Sequence, residues 1–223
     1  MLERRDDPRF VAIAKPCEHA LALLRQVKDR TSAPKVAEVG IGIGATSVEL
    51  CRILDGDGEI SFFDFAEKVD DLAADLTAHG FENFRTYGNT RRTFDSYCWA
   101  LAKVLQDMRR AGEDGVFDFI YLDGCHMFHH DAPATVICKE LVKPDGILLM
   151  DDYNWSIAIS PTTRPSANPR ITRHFTDEQI EVPHVALICE LFLDHDPAFE
   201  RLDIGYAETP HEHRRAFRKK PGA

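Results

Sequence analysis

The chain has 223 residues, 44% of them hydrophobic, which supports one sizeable core and argues against general disorder. Lys and Arg number 27 against 37 Asp and Glu, a net charge of −10 that disfavours nucleic acid and anionic membranes as partners. No stretch approaches the ~18 uninterrupted apolar residues of a membrane span. MLERRDDPRF holds no apolar signal core, and 6 cysteines without CxxC spacing read as reduced thiols, so a soluble cytoplasmic protein is expected.

Residues 9–30 read as a helix, with Phe10, Ile13, Cys17, Leu21 and Leu24 at three- and four-residue steps. VAEVGIGIG follows as a buried strand ending in glycines, then ATSVELCRILDG as a helix. GEISFFDF is the second strand, AEKVDDLAADLTAHG a helix with Gly80 after its end, and NFRTYGN a weaker third strand. TFDSYCWALAKVLQDMRRAG is a long helix, with Tyr97 and Trp99 assigned to the core. FDFIYLDG is the fourth strand, HHDAPATVICKELVKPDG a helix stopped by Lys-Pro-Asp-Gly, and ILLMDDY the fifth strand. A long loop over 154–174 precedes a short helix at FTDEQIEV. HVALICELFL and FERLDIGY are taken as the last two strands, close enough in sequence to pair antiparallel.

This alternation predicts an α/β fold: a doubly wound, mostly parallel seven-stranded sheet with a C-terminal antiparallel hairpin. The expected division is an N-terminal helical element over 1–35, one domain over 36–208, and a basic tail over 209–223. The tail, with His211, Glu212 and His213, reads as mobile and dispensable for folding. The N-terminal helix is a candidate dimer or lid element.

Glu38-Val39-Gly40-Ile41-Gly42-Ile43-Gly44 joins the first strand to its helix. Its glycines let the backbone approach a ligand, and the helix behind them offers unpaired N–H groups. Asp64, at the end of the second strand, is placed to take both hydroxyls of a ribose. The spacing Gly40, Gly42, Ala45 also fits a dinucleotide fingerprint, which keeps a nicotinamide-dependent oxidoreductase as an alternative. Against that alternative, there is no second catalytic domain and no Tyr-x-x-x-Lys pair after the fifth strand. A non-catalytic cofactor-binding protein is the third reading.

Asp123 ends the fourth strand, and Asp151 and Asp152 end the fifth. Parallel neighbours bring such ends to one rim, where three carboxylates repel unless a cation such as Mg²⁺ or Mn²⁺ neutralises them. His126 has a pKa range suited to taking a proton. A transition-metal site on His126, His129 and His130 ranks below the carboxylate cluster. Trp155, just past Asp152, is either core or a stacking surface for a substrate. Cys125 is not read as a nucleophile, because no motif places a base beside it.

The acid-x-Gly-x-Gly-x-Gly pattern of Glu38 to Gly44 resembles the first motif of the class I S-adenosylmethionine-dependent methyltransferases, a likeness covering about residues 36–206. The resemblance implies that Asp64 holds the ribose of S-adenosyl-L-methionine and Glu38 lies near its amino-acid end. It also implies that Gly88 and Asn89 flank the adenine, and it counts Asp123 among the cofactor-side residues. Asp-Gly-Cys-His at 123–126 and Asp-Asp-Tyr at 151–153 resemble the metal-assisted small-molecule O-methyltransferases of the macrocin and catechol type. That likeness implies metal ligands at Asp123, Asp151 and Asp152, and a small-molecule hydroxyl as methyl acceptor. The catechol-type lysine base is replaced here by histidines, so His126, with Asp123, is the candidate catalytic group.

Overall fold

The computed structural model describes residues 1–93, 95–205 and 213–222. Seven strands form one sheet: β1 Lys35–Val39, β2 Glu59–Phe65, β3 Phe84–Asn89, β4 Phe117–Leu122, β5 Val142–Met150, β6 Phe199–Leu202 and β7 Arg215–Lys219. Their order is β3-β2-β1-β4-β5-β7-β6. The first five pair in parallel, while β7 runs antiparallel to both β5 and β6.

The helices α1 Glu18–Arg30, α2 Ala45–Leu54, α3 Ala66–Ala78, α4 Cys98–Ala111 and α5 Phe128–Leu141 cover both faces. Strand side chains alternate between two cores, as the period-two geometry of a strand requires. Phe62, Phe119, Tyr121 and Leu149 face Leu24, Val48, Leu54 and Leu72 of α1, α2 and α3. Phe63, Ile120, Leu122, Leu148 and Phe217 face Leu101, Cys138 and Leu141 of α4 and α5. All six cysteines are free thiols. Among the described residues, no helix is long and apolar enough to cross a membrane.

Four local expectations are corrected. The N-terminal helix begins only at Glu18; before Pro16 the chain forms short 3-10 helices at Leu2–Asp6 and Pro8–Ile13. HVALICELFL is helical, not a strand: α6 Asp177–Glu181 is followed by α7 His184–Cys189 and a π turn over Glu190–Asp194. Its buried Val185, Ile188, Cys189 and Leu193 fall at three- and four-residue steps on one face. Trp99 is 66% exposed rather than core.

Part of the basic tail is a strand of the sheet rather than surface. Arg215–Lys219 lies between β5 and β6, with Ala216 and Phe217 fully buried. Residues 209–212 of the expected tail lie outside the described residues.

Candidate active site

The sheet order reverses between β1 and β4, and the carboxyl ends of neighbouring strands there open a crevice. Gly40 continues β1 into it, with φ +85° and its amide donating to Phe63 O at 2.8 Å. A Cβ on Gly40 would stand 1.9 Å from the Asp123 carbonyl oxygen, so only glycine lets the loop press against the end of β4. The loop then turns through Gly42 and Gly44 into α2. A cleft of about 330 Å³ results, lined by Glu38, Gly40, Gly42, Asp64, Asp123, His126, Asp151 and Asp152 among others.

Glu38 is 1% exposed, and its Oε2 has no hydrogen-bond partner among the described residues. Burial pushes its carboxyl up to about 8; Ser47 opposes the shift, and the charges of Asp123 and Asp64 add to it. Asp64 accepts the Phe65 amide at 2.7 Å, the Ile41 amide at 3.2 Å and Lys68 Nζ at 3.0 Å. Gly88 and Asn89 end β3 but do not line the cleft. Gly88 packs on Ala66, and Asn89 donates to Asp95 O at 2.7 Å. Ser96 and Tyr97 take that wall instead.

The three expected carboxylates reach one rim but separate in role. Asp151 is 5% exposed and already engaged: the Tyr121 hydroxyl donates to it, and Arg214 Nε stands 3.1 Å away. Asp152 turns outward in left-handed backbone, φ 52°, and pairs with His126 Nε2 at 3.0 Å. Among the described residues, Asp123, His126 and Asp152, with donor atoms within 4.8 Å of one another, form the group that could hold a cation; Asp151 is not in it. His129 and His130 are not part of it.

The electrostatics follow from this crowding. Burial and the Asp151 charge push Asp123 up to about 8. Burial alone would lower His126, but Asp152, aided by Asp123 and Asp131, outweighs it and raises the imidazole to about 9. His126 in turn holds Asp152 below the usual carboxylate range against the effect of burial. A deprotonated His126 with two carboxylates offers a mixed nitrogen and oxygen donor set, compatible with Mn²⁺ or Mg²⁺. Trp155 packs with Met127, Ile157 and Phe175 in a small separate core, its ring 5.5 Å from that of His126.

A family model described as a methyltransferase domain matches residues 37–153, just over half of the chain. The chain belongs to this methyltransferase family. The matched span runs from the glycine loop to Tyr153, which takes in Glu38, Asp64, Asp123 and Asp152. Curated proteins give no match. Solved structures sharing the methyltransferase fold include the O-methyltransferase TomG of Streptomyces achromogenes, involved in tomaymycin synthesis and solved with S-adenosylmethionine. It is 15% identical, with 92% of this chain and 80% of that one covered at TM-score 0.59. An O-methyltransferase of Bacillus cereus, solved with S-adenosylhomocysteine, is 15% identical, with 98% and 90% covered at TM-score 0.58. The MycE methyltransferase of mycinamycin biosynthesis, solved with Mg and S-adenosylhomocysteine, is 16% identical, with 92% of this chain but 49% of that one covered at TM-score 0.54. This methyltransferase therefore has the class I fold expected from Glu38 to Gly44, and the nicotinamide oxidoreductase reading falls.

Reading the sequence alone missed Arg214, Tyr97 and Lys68 as parts of the methyltransferase cleft. Lys68 was accessible in principle, since it follows Asp64 by four residues across the start of α3. Arg214 was not, because its place depends on β7 entering the sheet beside β5.

Proposed function

We propose that the protein transfers a methyl group from S-adenosylmethionine to a hydroxyl oxygen of a small molecule, with a divalent cation held by Asp123, His126 and Asp152. The observation that carries the reading is a single cleft lined both by buried Glu38, whose Oε2 has no hydrogen-bond partner among the described residues, and by the cation-competent group.

The residues fit the cofactor. Asp64 is a strand-end carboxylate in the cleft wall, suited to ribose hydroxyls, with Lys68 able to swing aside. Glu38 Oε2 is a buried acceptor awaiting a donor, and an α-ammonium supplies one. When bound, S-adenosylmethionine supplies an electrophilic methyl, and Mg²⁺ or Mn²⁺ lowers the pKa of the accepting hydroxyl.

This chain's own residues do the rest. Gly40 and Asp64 seat the donor, and Asp123 lines the same cleft. Asp123 and Asp152 present oxygens to the cation, while His126 gives up its proton to bind through nitrogen. Asp151 keeps Arg214 and Tyr121 fixed beneath them. Alignment of acceptor oxygen and methyl is the main contribution asked of the protein.

The test is calorimetry followed by turnover. S-adenosylhomocysteine should bind and NAD should not. With radiolabelled donor and a panel of catechols and sugar hydroxyls, label should pass to an oxygen acceptor. Transfer should stop in the chelated enzyme and return with Mg²⁺ or Mn²⁺. Binding of NAD without S-adenosylhomocysteine would overturn the donor assignment, and full turnover after chelation would overturn the cation.

A further inference from the structure

Residues 124–126, between β4 and α5, carry His126 into the cleft in left-handed backbone, φ 60°. That backbone is uncommon for any residue but glycine, and here the surroundings hold it. The grip comes from behind the cleft. The Asp131 carboxylate, in the first turn of α5, accepts the His126 amide at 2.8 Å and the Tyr97 hydroxyl. Tyr97 Oη in turn accepts the Cys125 amide at 3.0 Å. Gly124 makes the room: a Cβ there would stand 2.2 Å from Asp131 Oδ1 and 2.5 Å from Tyr97 Oη.

This arrangement is more than helix capping. Asp131 is 2% exposed and Tyr97 1%, and burying a carboxylate beside a cleft already rich in acids is costly unless it is fully hydrogen-bonded. Tyr97 is itself fixed from the other side. Asp95 accepts the amides of Tyr97, Cys98 and Trp99 at 3.2, 2.7 and 2.8 Å, and Asn89 Nδ2 reaches Asp95 from the end of β3. The chain of contacts thus runs from the end of β3 through Tyr97 and Asp131 to the backbone of His126.

We propose that Tyr97 and Asp131 are positioning residues for methyl transfer, acting through residues 124–126 to hold the His126 ring against Asp152. The proposal rests on the reading of Asp123, His126 and Asp152 as the group that serves the methyl acceptor. Asp131 does not line the cleft and acts only through the segment it grips. Its carboxylate accepts from the His126 amide with one oxygen and from Tyr97 with the other. An asparagine keeps one acceptor oxygen for the His126 amide but sets an uncharged NH₂ against Tyr97 Oη, so the tyrosine proton loses its acceptor and both contacts lose the carboxylate charge.

The test uses amide and imidazole NMR on the full ¹⁵N-labelled chain with S-adenosylhomocysteine as the probe ligand. In Asp131→Asn the His126 amide proton should move upfield, having lost a charged acceptor. The His126 ring N–H signal, sheltered by Asp152 in the parent, should be lost to solvent exchange. The Kd for S-adenosylhomocysteine should change by less than about threefold. In Tyr97→Phe the Cys125 amide should move while the His126 amide shifts less. The double variant should match Asp131→Asn rather than the sum of the two, because both act through one segment. With an accepted hydroxyl substrate, kcat of Asp131→Asn should fall by roughly 10–100-fold with its donor KM nearly unchanged.

Folded variants that keep the parental His126 amide and ring signals would overturn the proposal and reduce Asp131 to a helix-end support. If Asp131→Asn does not fold, Tyr97→Phe removes a single oxygen and decides the matter through the Cys125 amide and the His126 ring signal. Should the acceptor panel show no turnover, the spectra still report on the grip, so failure of the functional reading is distinguishable from failure of this one.

Discussion

His126 and Asp152 come from the ends of different strands, both sit in left-handed backbone at φ 60° and 52°, and their side chains meet at 3.0 Å. Two strained residues touching in a cleft is a pattern of functional sites, each costing about 1–3 kcal/mol that the surroundings must offset.

The pair makes the metal-free protein pH-sensitive. Burial opposes the shift, but Asp152 raises folded His126 to about 9, above its unfolded value. The stabilisation is therefore complete below the unfolded pKa near 6.5 and is lost as pH rises through about 9. Melting temperature measured in chelator should fall over that window, and Asp152→Asn should flatten this part of the curve. An unchanged slope in the variant would show that the pair contributes nothing.

Glu38 makes cofactor binding proton-linked. Its carboxyl is pushed up to about 8 by burial, so it is mostly protonated at neutral pH. An ammonium placed against Oε2 favours the ionised form, so binding releases a proton. Calorimetry of S-adenosylhomocysteine at pH 7 in two buffers of different ionisation enthalpy should report that release, and Glu38→Gln should abolish it. Equal heats in both buffers for the parent would contradict the placement of the ammonium.

Much of this was legible in the sequence, and the misses have physical causes. Glycines with flanking acids and apolar runs placed Glu38, Asp64 and Asp123 on one rim, because strand ends converge wherever strands and helices alternate. HVALICELFL looks like a strand by composition, and its nearly continuous apolar run masks the helical period that burial reveals at Val185, Ile188, Cys189 and Leu193. Arg215–Lys219 carries its two central apolar residues among cations and gives no local sign of a buried strand. Its burial is decided by the open edge of β5, which no short window contains. The separation of Asp151 from Asp152 depends on Arg214 and so shares that cause.

Removing β7 should therefore unfold the protein. Truncation after Glu208 deletes a strand hydrogen-bonded on both sides and exposes the facing edges of β5 and β6. Phe217→Ala, at a fully buried site, should cost about 3–5 kcal/mol. Urea unfolding followed by circular dichroism measures both. A truncated chain with parental stability would mean that the sheet closes without β7.

Adjacent aspartates should fail in opposite ways. Asp151 neutralises Arg214, which is 27% exposed at its side chain, and accepts from the buried Tyr121. Asp151→Asn leaves that guanidinium without its counter-charge and should lower stability by on the order of 3 kcal/mol, with Mn²⁺ affinity only weakly affected. Asp152 is more exposed and its partner is His126, so Asp152→Asn should leave the folded core intact. It should weaken Mn²⁺ binding and turnover while S-adenosylhomocysteine still binds, since Glu38 and Asp64, the residues proposed to hold it, are left unchanged. Calorimetric titration of Mn²⁺ into both chelator-stripped variants, paired with thermal melts, separates the two roles. A large loss of Mn²⁺ affinity in Asp151→Asn at unchanged melting temperature would return Asp151 to the ligand set.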